Sequence, residues 1–317
     1  NRAEDARVAQ YIFRMSSSLR TSAFIPLLAI FGSVTFLGLG TSWAKHTLFP
    51  LVGAQGTTAV RVGFSALLLL LLWRPWRWRL TRADLRAIAC YGAALGGMNL
   101  MFYLSLQTLP FGVAVAIEFS GPLAVAVLSS RRALDFVWVL LAVAGLGLLL
   151  PLGHDVSTLD PLGVAYSLVA AVCWATYILF GKRVGHLHAG LSVSLGLTVA
   201  ALVVLPVGLA HSGMALLSWQ VLAVGLGVAA ISSAVPISLE MVALKRLPSQ
   251  AFGIMISMEP AVAAVLALGL LDERLSVMQW LAIGLIVMAS VGCAATARTA
   301  PQESRRSGAA SAPTLAP

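Results

Sequence analysis

The 317-residue chain is 59% hydrophobic and only 10% charged, and its mean hydropathy is +0.91. Such a small number of charged residues cannot cover the surface of a soluble protein of this length. The composition therefore excludes a soluble protein and predicts an all-α polytopic membrane protein. The formal net charge of +9 does not indicate nucleic-acid binding, because the basic residues are dispersed over short connections beside the apolar stretches, a pattern typical of contact with anionic membrane lipid.

Ten apolar stretches follow one another along the chain. Each is close to the roughly 20 residues that a helix needs to cross a bilayer. Prolines and polar residues separate them, as expected for connections between helices. The predicted spans are 24–45, 54–73, 84–105, 111–129, 135–151, 160–181, 189–210, 218–243, 249–269 and 277–297.

The basic residues alternate between the connections. Eighteen of the 21 fall in the two tails and in every second connection, and the exceptions are Lys45, Arg61 and Arg274. Because cytoplasmic loops of membrane proteins are enriched in Lys and Arg, both termini are predicted to be cytoplasmic. The regular alternation also favours an even number of spans.

Two tails lie outside the predicted spans. Residues 1–23 form a cytoplasmic N-terminal tail in which Met15 resembles a translation start, so residues 1–14 are either native or an added extension. Residues 298–317 are rich in Ala, Ser, Pro and Arg and are predicted to be a disordered cytoplasmic tail. The first span is too long for a cleavable signal peptide.

The chain contains a weak internal repeat. Leu106–Pro110 matches Leu244–Pro248 at an offset of 138 residues, and the same offset aligns Pro122 with Pro260. The matches either record a duplication of five spans or arose by chance in apolar sequence. Because five is odd, a duplicated half enters the membrane from the opposite face, as in many secondary transporters. The predicted repeats are 24–152, with spans one to five, and 153–297, with spans six to ten.

Six short runs of sequence stand out, and several of them are polar stretches inside the predicted spans, which hydrophobic composition alone does not generate. They are Ala44–Gly53, Tyr91–Asn99, Phe102–Pro110, Glu118–Ala126, Ser129–Arg132 and Ser257–Pro260. In these runs the chain resembles the EamA domains of the drug/metabolite transporter superfamily, and in particular bacterial threonine/homoserine exporters of the RhtA type. The resemblance implies an inner-membrane exporter of small neutral amino acids with ten helices around a central cavity. The alternative within the superfamily is an exporter of aromatic or other neutral amino acids or metabolites.

Apart from acids at the first residue of a span, three acidic residues lie inside the spans, where charge is costly and usually faces a cavity or a partner. Glu118 and Glu259 lie well inside the fourth and ninth spans, and each either lines a transport pathway or forms a structural hydrogen bond. Glu240 is about one turn from the cytoplasmic end of the eighth span and either acts in the pathway or reaches water.

Prolines follow both of the deeper acids. Pro122 and Pro260 lack an N–H, so the carbonyl groups of Glu118 and Ile256 lose their helical partners. Freed carbonyls at membrane depth are tolerated where they line a cavity or find donors. The prolines are therefore either gating elements near an ammonium site or packing kinks, with Ser257 as one candidate donor.

Other polar side chains complete the candidate pathway. Asn99 is an amide inside the third span, and it either binds substrate or ties helices together. Lys45 either meets a carboxylate or extends to water, and Arg61 either pairs with an acid or does the same. The aromatic candidates with a polar tip are Tyr91, Tyr103, Trp43, Trp174 and Tyr177.

Enzymatic and cofactor functions find no support in the sequence. The Gly-Lys pair at Gly181 lacks the rest of a phosphate-binding loop, and all five histidines fall at span ends or in connections. No metal site is expected from the three scattered cysteines, and no nucleotide or other cofactor is predicted. A channel is disfavoured because channels more often place rings of one residue from symmetric subunits. The sequence therefore predicts a secondary transporter driven by a gradient, with the proton as one possible coupling ion.

Overall fold

The computed structural model describes residues 28–78, 80–128, 133–149, 159–236, 239 and 256–296, and all regular structure in these ranges is helical. Glu240, both predicted tails and the connections around 129–132, 150–158 and 240–255 lie outside the described residues. The helices are α1 (28–47), α2 (Phe49–Trp73), α3 (Arg82–Ser105), α4 (Phe111–Glu118), α5 (Ser120–Leu128), α6 (Ala133–Leu149), α7 (Pro161–Arg183), α8 (Ala189–Ser212), α9 (Trp219–Ala229), α10 (Glu259–Leu270) and α11 (Val277–Thr296).

Four described helices are long and apolar enough to cross a membrane. They are Phe49–Trp73, Arg82–Ser105, Pro161–Arg183 and Gly190–Leu217. Five shorter apolar helices accompany them: Phe111–Val125, Phe136–Leu148, Trp219–Ala234, Glu259–Leu270 and Val277–Gly292. The described helices overlap all of the predicted spans, while the arrangement as ten spans in two inverted repeats stays a prediction.

Local sequence signals explain where the long helices begin. Thr81 accepts a hydrogen bond from the backbone of Asp84, whose carboxylate accepts one from the Thr81 backbone, so the two residues form a capping box at α3. Asp160 caps α7 through the N–H groups of Leu162 and Gly163. A hydrogen bond from Thr108, together with these two backbone bonds, holds the pKa of the Asp160 carboxyl below its usual value.

The α-helix is interrupted in three of the predicted spans. The fourth span breaks at Phe119, between α4 and α5, three residues before Pro122. α9 continues into a π-helical segment, Ala230–Ala234. A turn at 257–258 precedes α10, which begins at Glu259 with Pro260 in its first turn. Pro122 and Pro260 thus both lie close to a break, and neither has an N–H that could donate a helical hydrogen bond.

Small residues let the helices approach closely. A methyl group on Gly112 of α4 would lie 2.6 Å from the Cα of Ala264 in α10. One on Gly96 of α3 would lie 3.0 Å from the Cα of Ala200 in α8. These distances leave no room for a side chain, so glycine permits close contact between these helices, as in other membrane bundles.

Side chains join the connections at each end of the bundle. At one end, here called the Lys45 end, the Lys45 ammonium forms an ion pair of 2.5 Å with Glu273, and the Ser212 hydroxyl donates to the Val52 carbonyl. At the other, here called the Trp78 end, the His186 ring lies 2.9 Å from the Asp84 carboxylate. The indole of Trp78 there stacks on the His188 ring.

Candidate functional site

A cavity of about 380 Å³ lies between α1, α2, α3, α4, α7 and α10. Its walls are largely apolar and aromatic, with a few polar and charged groups, as is usual for a small-molecule site. The lining residues are Val34, Leu37, Gly38, Thr41, Arg61, Leu95, Met98, Asn99, Phe102, Phe111, Val115, Glu118, Trp174, Tyr177, Ile256, Glu259 and Ala263.

Two acids and one base face this cavity. Glu118 is the last residue of α4 and is 6% exposed, while Glu259 is the first residue of α10 and is half-buried. The carboxylate of Glu118 lies within electrostatic range of Glu259 and of Arg61. Each acid lies next to one of the helix breaks described above.

Arg61 lies at the middle of α2 and is 8% exposed. Its Nε donates to the Ser232 hydroxyl at 2.8 Å, and its Nη1 donates to the amide oxygen of Asn99 at 2.5 Å. Its Nη2 donates a longer bond of 3.4 Å to the Ser232 carbonyl. The guanidinium carbon also lies 5.3 Å from the centre of the Tyr103 ring, which adds a cation–π contact.

The π-helical segment that follows α9 provides the serine partner of Arg61. π-helical turns widen a helix locally and often occur at functional sites. Ser232 lies in this turn, and a methyl group on Gly40 of α1 would lie 2.9 Å from its backbone nitrogen. Glycine at position 40 therefore lets α1 approach the π turn that holds Arg61.

Comparison with known proteins identifies the family. The threonine/homoserine exporter RhtA of Escherichia coli K12 is 49% identical over 285 residues, covering 90% of this chain and 96% of that protein. RhtA of Salmonella typhimurium LT2 is 48% identical over 286 residues, covering 90% and 97% of the two chains. The EamA-like transporter family matches residues 161–294. The chain belongs to this family of transporters.

More distant relatives agree with the assignment. The uncharacterized inner membrane transporter YedA of Escherichia coli K12 is 29% identical over 193 residues, covering 58% of this chain and 62% of YedA. A solved crystal structure, titled only as that of a protein, aligns with a TM-score of 0.57 at 18% identity over 88% of this chain and 97% of that one. That likeness bears on the fold alone.

The structure brings five of the residues selected from the sequence to the cavity of this EamA-like protein. They are Glu118, Glu259, Asn99, Trp174 and Tyr177. Trp174 meets the Phe119 ring edge-on at 5.4 Å, so the helix break after Glu118 packs against an aromatic wall. Of the other selected residues, Tyr91, Tyr103, Trp43 and Ser257 do not line the cavity, and Glu240 is outside the described residues.

Two of the predicted tyrosines support cavity residues rather than line it. Tyr91 stacks on Tyr177 with ring centres 4.7 Å apart, and the two hydroxyl groups are 3.2 Å apart. Tyr103 is fully buried and lies beside Arg61.

Trp43 is exposed on α1 and packs on Gly227, and Ser257 is buried in the turn before Glu259.

Sequence reasoning did not select Arg61 as a site residue. The available signal was a single cation in the middle of an otherwise apolar run, which usually marks a functional position in a membrane protein. The described residues contain no group of three or more His, Cys, Asp or Glu side chains that could hold a metal ion. The charged and amide groups that the cavity offers for ligand binding are one cation, two acids and one amide.

Proposed function

We propose that this protein is a secondary transporter that exports small neutral amino acids across the bacterial inner membrane, with threonine and homoserine as the leading substrates. The observation that carries the proposal is the near full-length similarity to two proteins named threonine/homoserine exporters. Four aromatic rings in the cavity wall keep aromatic amino acids as the second candidate: Phe102, Phe111, Trp174 and Tyr177.

The chemistry of the cavity supports an amino-acid substrate. A zwitterion carries an ammonium and a carboxylate, and the wall provides acidic groups at Glu118 and Glu259 and a cation at Arg61. Buried charges of both signs favour ligands that neutralise them. A cavity of about 380 Å³ has room for a small amino acid with some water.

The packing of the helices supports the ten-span inverted repeat, with 24–152 and 153–297 as the two halves. That repeat equates α2 with α8, α4 with α10 and α6 with α11, and the members of each pair pack directly against each other. The contacts between the halves are also symmetric. α3 packs on α8, and the repeat equivalents of these two helices, α9 and α2, pack on each other as well. A two-fold relation between halves produces this pattern, and it provides two exchangeable conformations for alternating access.

The two ends of the bundle support the orientation predicted from charge. Connections assigned to the periplasm by the positive-inside rule contribute Lys45, Glu273, Ser212 and Val52 to the Lys45 end. Those assigned to the cytoplasm meet at the Trp78 end. We therefore propose that the Lys45 end is periplasmic and that both termini are cytoplasmic.

Transport by the purified protein tests the proposed function. Proteoliposomes loaded with unlabelled threonine should accumulate labelled threonine and homoserine by exchange, whereas protein-free liposomes should not. A panel that includes leucine and tryptophan separates the two substrate candidates, and an imposed pH gradient tests proton coupling. Exchange of tryptophan without exchange of threonine would overturn the substrate assignment, and absence of any amino-acid exchange by folded protein would overturn the function.

Cysteine labelling tests the orientation. Met214 and Trp76 are both exposed residues in short 3₁₀ turns, one at each end of the bundle, and they form a matched pair. In a cysteine-free background, an impermeant maleimide should label Met214→Cys in intact cells and Trp76→Cys only after permeabilisation. The reverse pattern would invert the proposed topology.

A further inference from the structure

Within the described part of the chain no acid touches Arg61, although the Glu118 carboxylate lies within electrostatic range of it. Neither of the ion pairs among the described residues includes Arg61. Its hydrogen-bond partners are an amide oxygen, a hydroxyl and a carbonyl, which carry no net charge. A cation buried in a membrane protein without a contacting anion is costly, and such residues usually face a substrate or ion pathway. An anionic ligand in the cavity would remove this cost.

The guanidinium is held in place with donors to spare. It has five N–H groups, and three hydrogen bonds to the described residues engage one on each nitrogen. Two N–H groups therefore have no protein acceptor within the described part of the chain. Because Ser232 and Asn99 fix the plane of the group from two other helices, little side-chain entropy is lost when a ligand binds.

A carboxylate is the anion that this arrangement fits. Guanidinium and carboxylate are both planar and form paired, charge-assisted hydrogen bonds. The same cavity wall provides the carboxylates of Glu118 and Glu259, which suit an ammonium rather than a second anion. A ligand that satisfies both sides carries an ammonium and a carboxylate close together, as an α-amino acid does.

We propose that Arg61 binds the carboxylate of the transported amino acid and that Asn99 and Ser232 are its positioning residues. This inference rests on the proposed function, and it assigns the source of selectivity for intact amino acids. Analogues in which the carboxylate is an amide keep the ammonium but lose the partner of Arg61. The wild-type protein should therefore discriminate against threoninamide.

Exchange kinetics of two variants test the assignment. In proteoliposomes, Arg61→Gln should raise the half-saturation concentration for threonine by about 10- to 100-fold, the range expected when a hydrogen bond to a charged group is lost. Inhibition by threoninamide should change little, so the ratio between the two ligands should collapse. Arg61→Lys retains the charge without the planar pair and should lie between wild type and Arg61→Gln.

Matched controls separate binding from folding. Arg183→Gln makes the same change at an exposed cytoplasmic-end residue and should keep the wild-type ratio. Asn99→Ala and Ser232→Ala should raise the half-saturation concentration for threonine by less than Arg61→Gln does. Thermal unfolding and monodispersity of each purified variant report whether it is folded.

Three results would overturn the assignment, and each differs from failure of the proposed function, in which wild-type protein exchanges no amino acid. The first is wild-type protein that binds threonine and threoninamide equally well, a test that needs no variant. The second is a folded Arg61→Gln protein that keeps the wild-type ratio of the two ligands, which would leave Arg61 a purely structural role. The third is an Arg61→Lys protein that exchanges threonine no better than Arg61→Gln.

Discussion

Glu259→Gln should reduce threonine exchange by about tenfold or more, with unchanged expression and folding. The amide keeps the size of the side chain but removes the negative charge from the cavity wall. Glu118→Gln should have a similar effect, because the Glu118 carboxylate lies within electrostatic range of both Glu259 and Arg61. The measurement is the initial exchange rate in proteoliposomes over a range of pH.

Two modes of transport separate the possible roles of these acids. A residue that binds the substrate ammonium is needed in every half-cycle, so its Gln variant should lose exchange and gradient-driven uptake together. A residue that carries only a coupling proton is dispensable for exchange, so its variant should keep exchange and lose the response to a pH gradient. Wild-type rates in both modes would remove Glu259 from the pathway.

Glu240→Gln is the matched control for these variants. Like Glu118 and Glu259, Glu240 lies within a predicted span, the eighth, but it is close to the predicted cytoplasmic end, where water can hydrate the carboxylate. Its amide variant should therefore transport at close to the wild-type rate. A loss as large as that of Glu259→Gln would indicate a second acid in the pathway and would contradict the ranking of the acids by depth.

The helices could largely be predicted from hydrophobicity alone, because each must fill the thickness of a bilayer with apolar residues. The predicted span 189–210 and the observed α8, Ala189–Ser212, differ by two residues at one end. The sequence also marks a helix interruption where a proline causes it, because proline lacks an N–H. Such a proline follows closely after the break at Phe119. The π turn in α9 has no such marker, because it contains only Ala, Ile and Ser.

The cavity could be predicted in part. Acidic and amide groups inside apolar spans are rare enough that Glu118, Glu259 and Asn99 stood out, and all three line it. The sequence does not show which face of each helix points into the cavity, because these helices are apolar on all their faces. Tyr91 was therefore selected although it lies behind Tyr177.

The partners of Arg61 were beyond sequence reasoning for a related reason. Ser232 is separated from Arg61 by 171 residues, and nothing local in either segment records the contact. The expectation for Arg61 was an acid or water, whereas its contacts are a serine and an amide. For Lys45 both alternatives were left open, and the structure pairs it with the carboxylate of Glu273.

Under the alternating access proposed above, that ion pair occupies a position that has to change during transport. The Lys45 ammonium also lies 3.4 Å from the Leu109 carbonyl, and the second oxygen of Glu273 accepts a 2.6 Å bond from the Phe111 N–H. These contacts join the end of α1, the start of α4 and the connection before α11. Because Glu273 comes from the second predicted half and the other groups from the first, opening the Lys45 end must break them.

Glu273→Gln should therefore make the cavity more accessible from the Lys45 end. The pair is mostly buried, with 21% and 16% of the two side chains exposed, so its loss should favour the open form by several-fold, on the order of the larger effects of partly exposed pairs. The reporter is a cysteine at Thr41, a buried residue of the cavity wall, labelled by an impermeant maleimide in intact cells. The labelling rate should rise relative to the same reporter without the Glu273 change.

The opposite end provides the control for this prediction. The contact between His186 and Asp84 joins connections at the Trp78 end, and His186→Ala removes it while leaving Thr81 and Asp84, which form the capping box of α3, unchanged. Weakening that end should leave labelling of the Thr41 reporter unchanged or slower, because it favours opening at the Trp78 end, away from the proposed periplasmic side. A faster rate in both variants would mean that each merely loosens the bundle, and an unchanged rate in Glu273→Gln would mean that the ion pair does not hold this end closed.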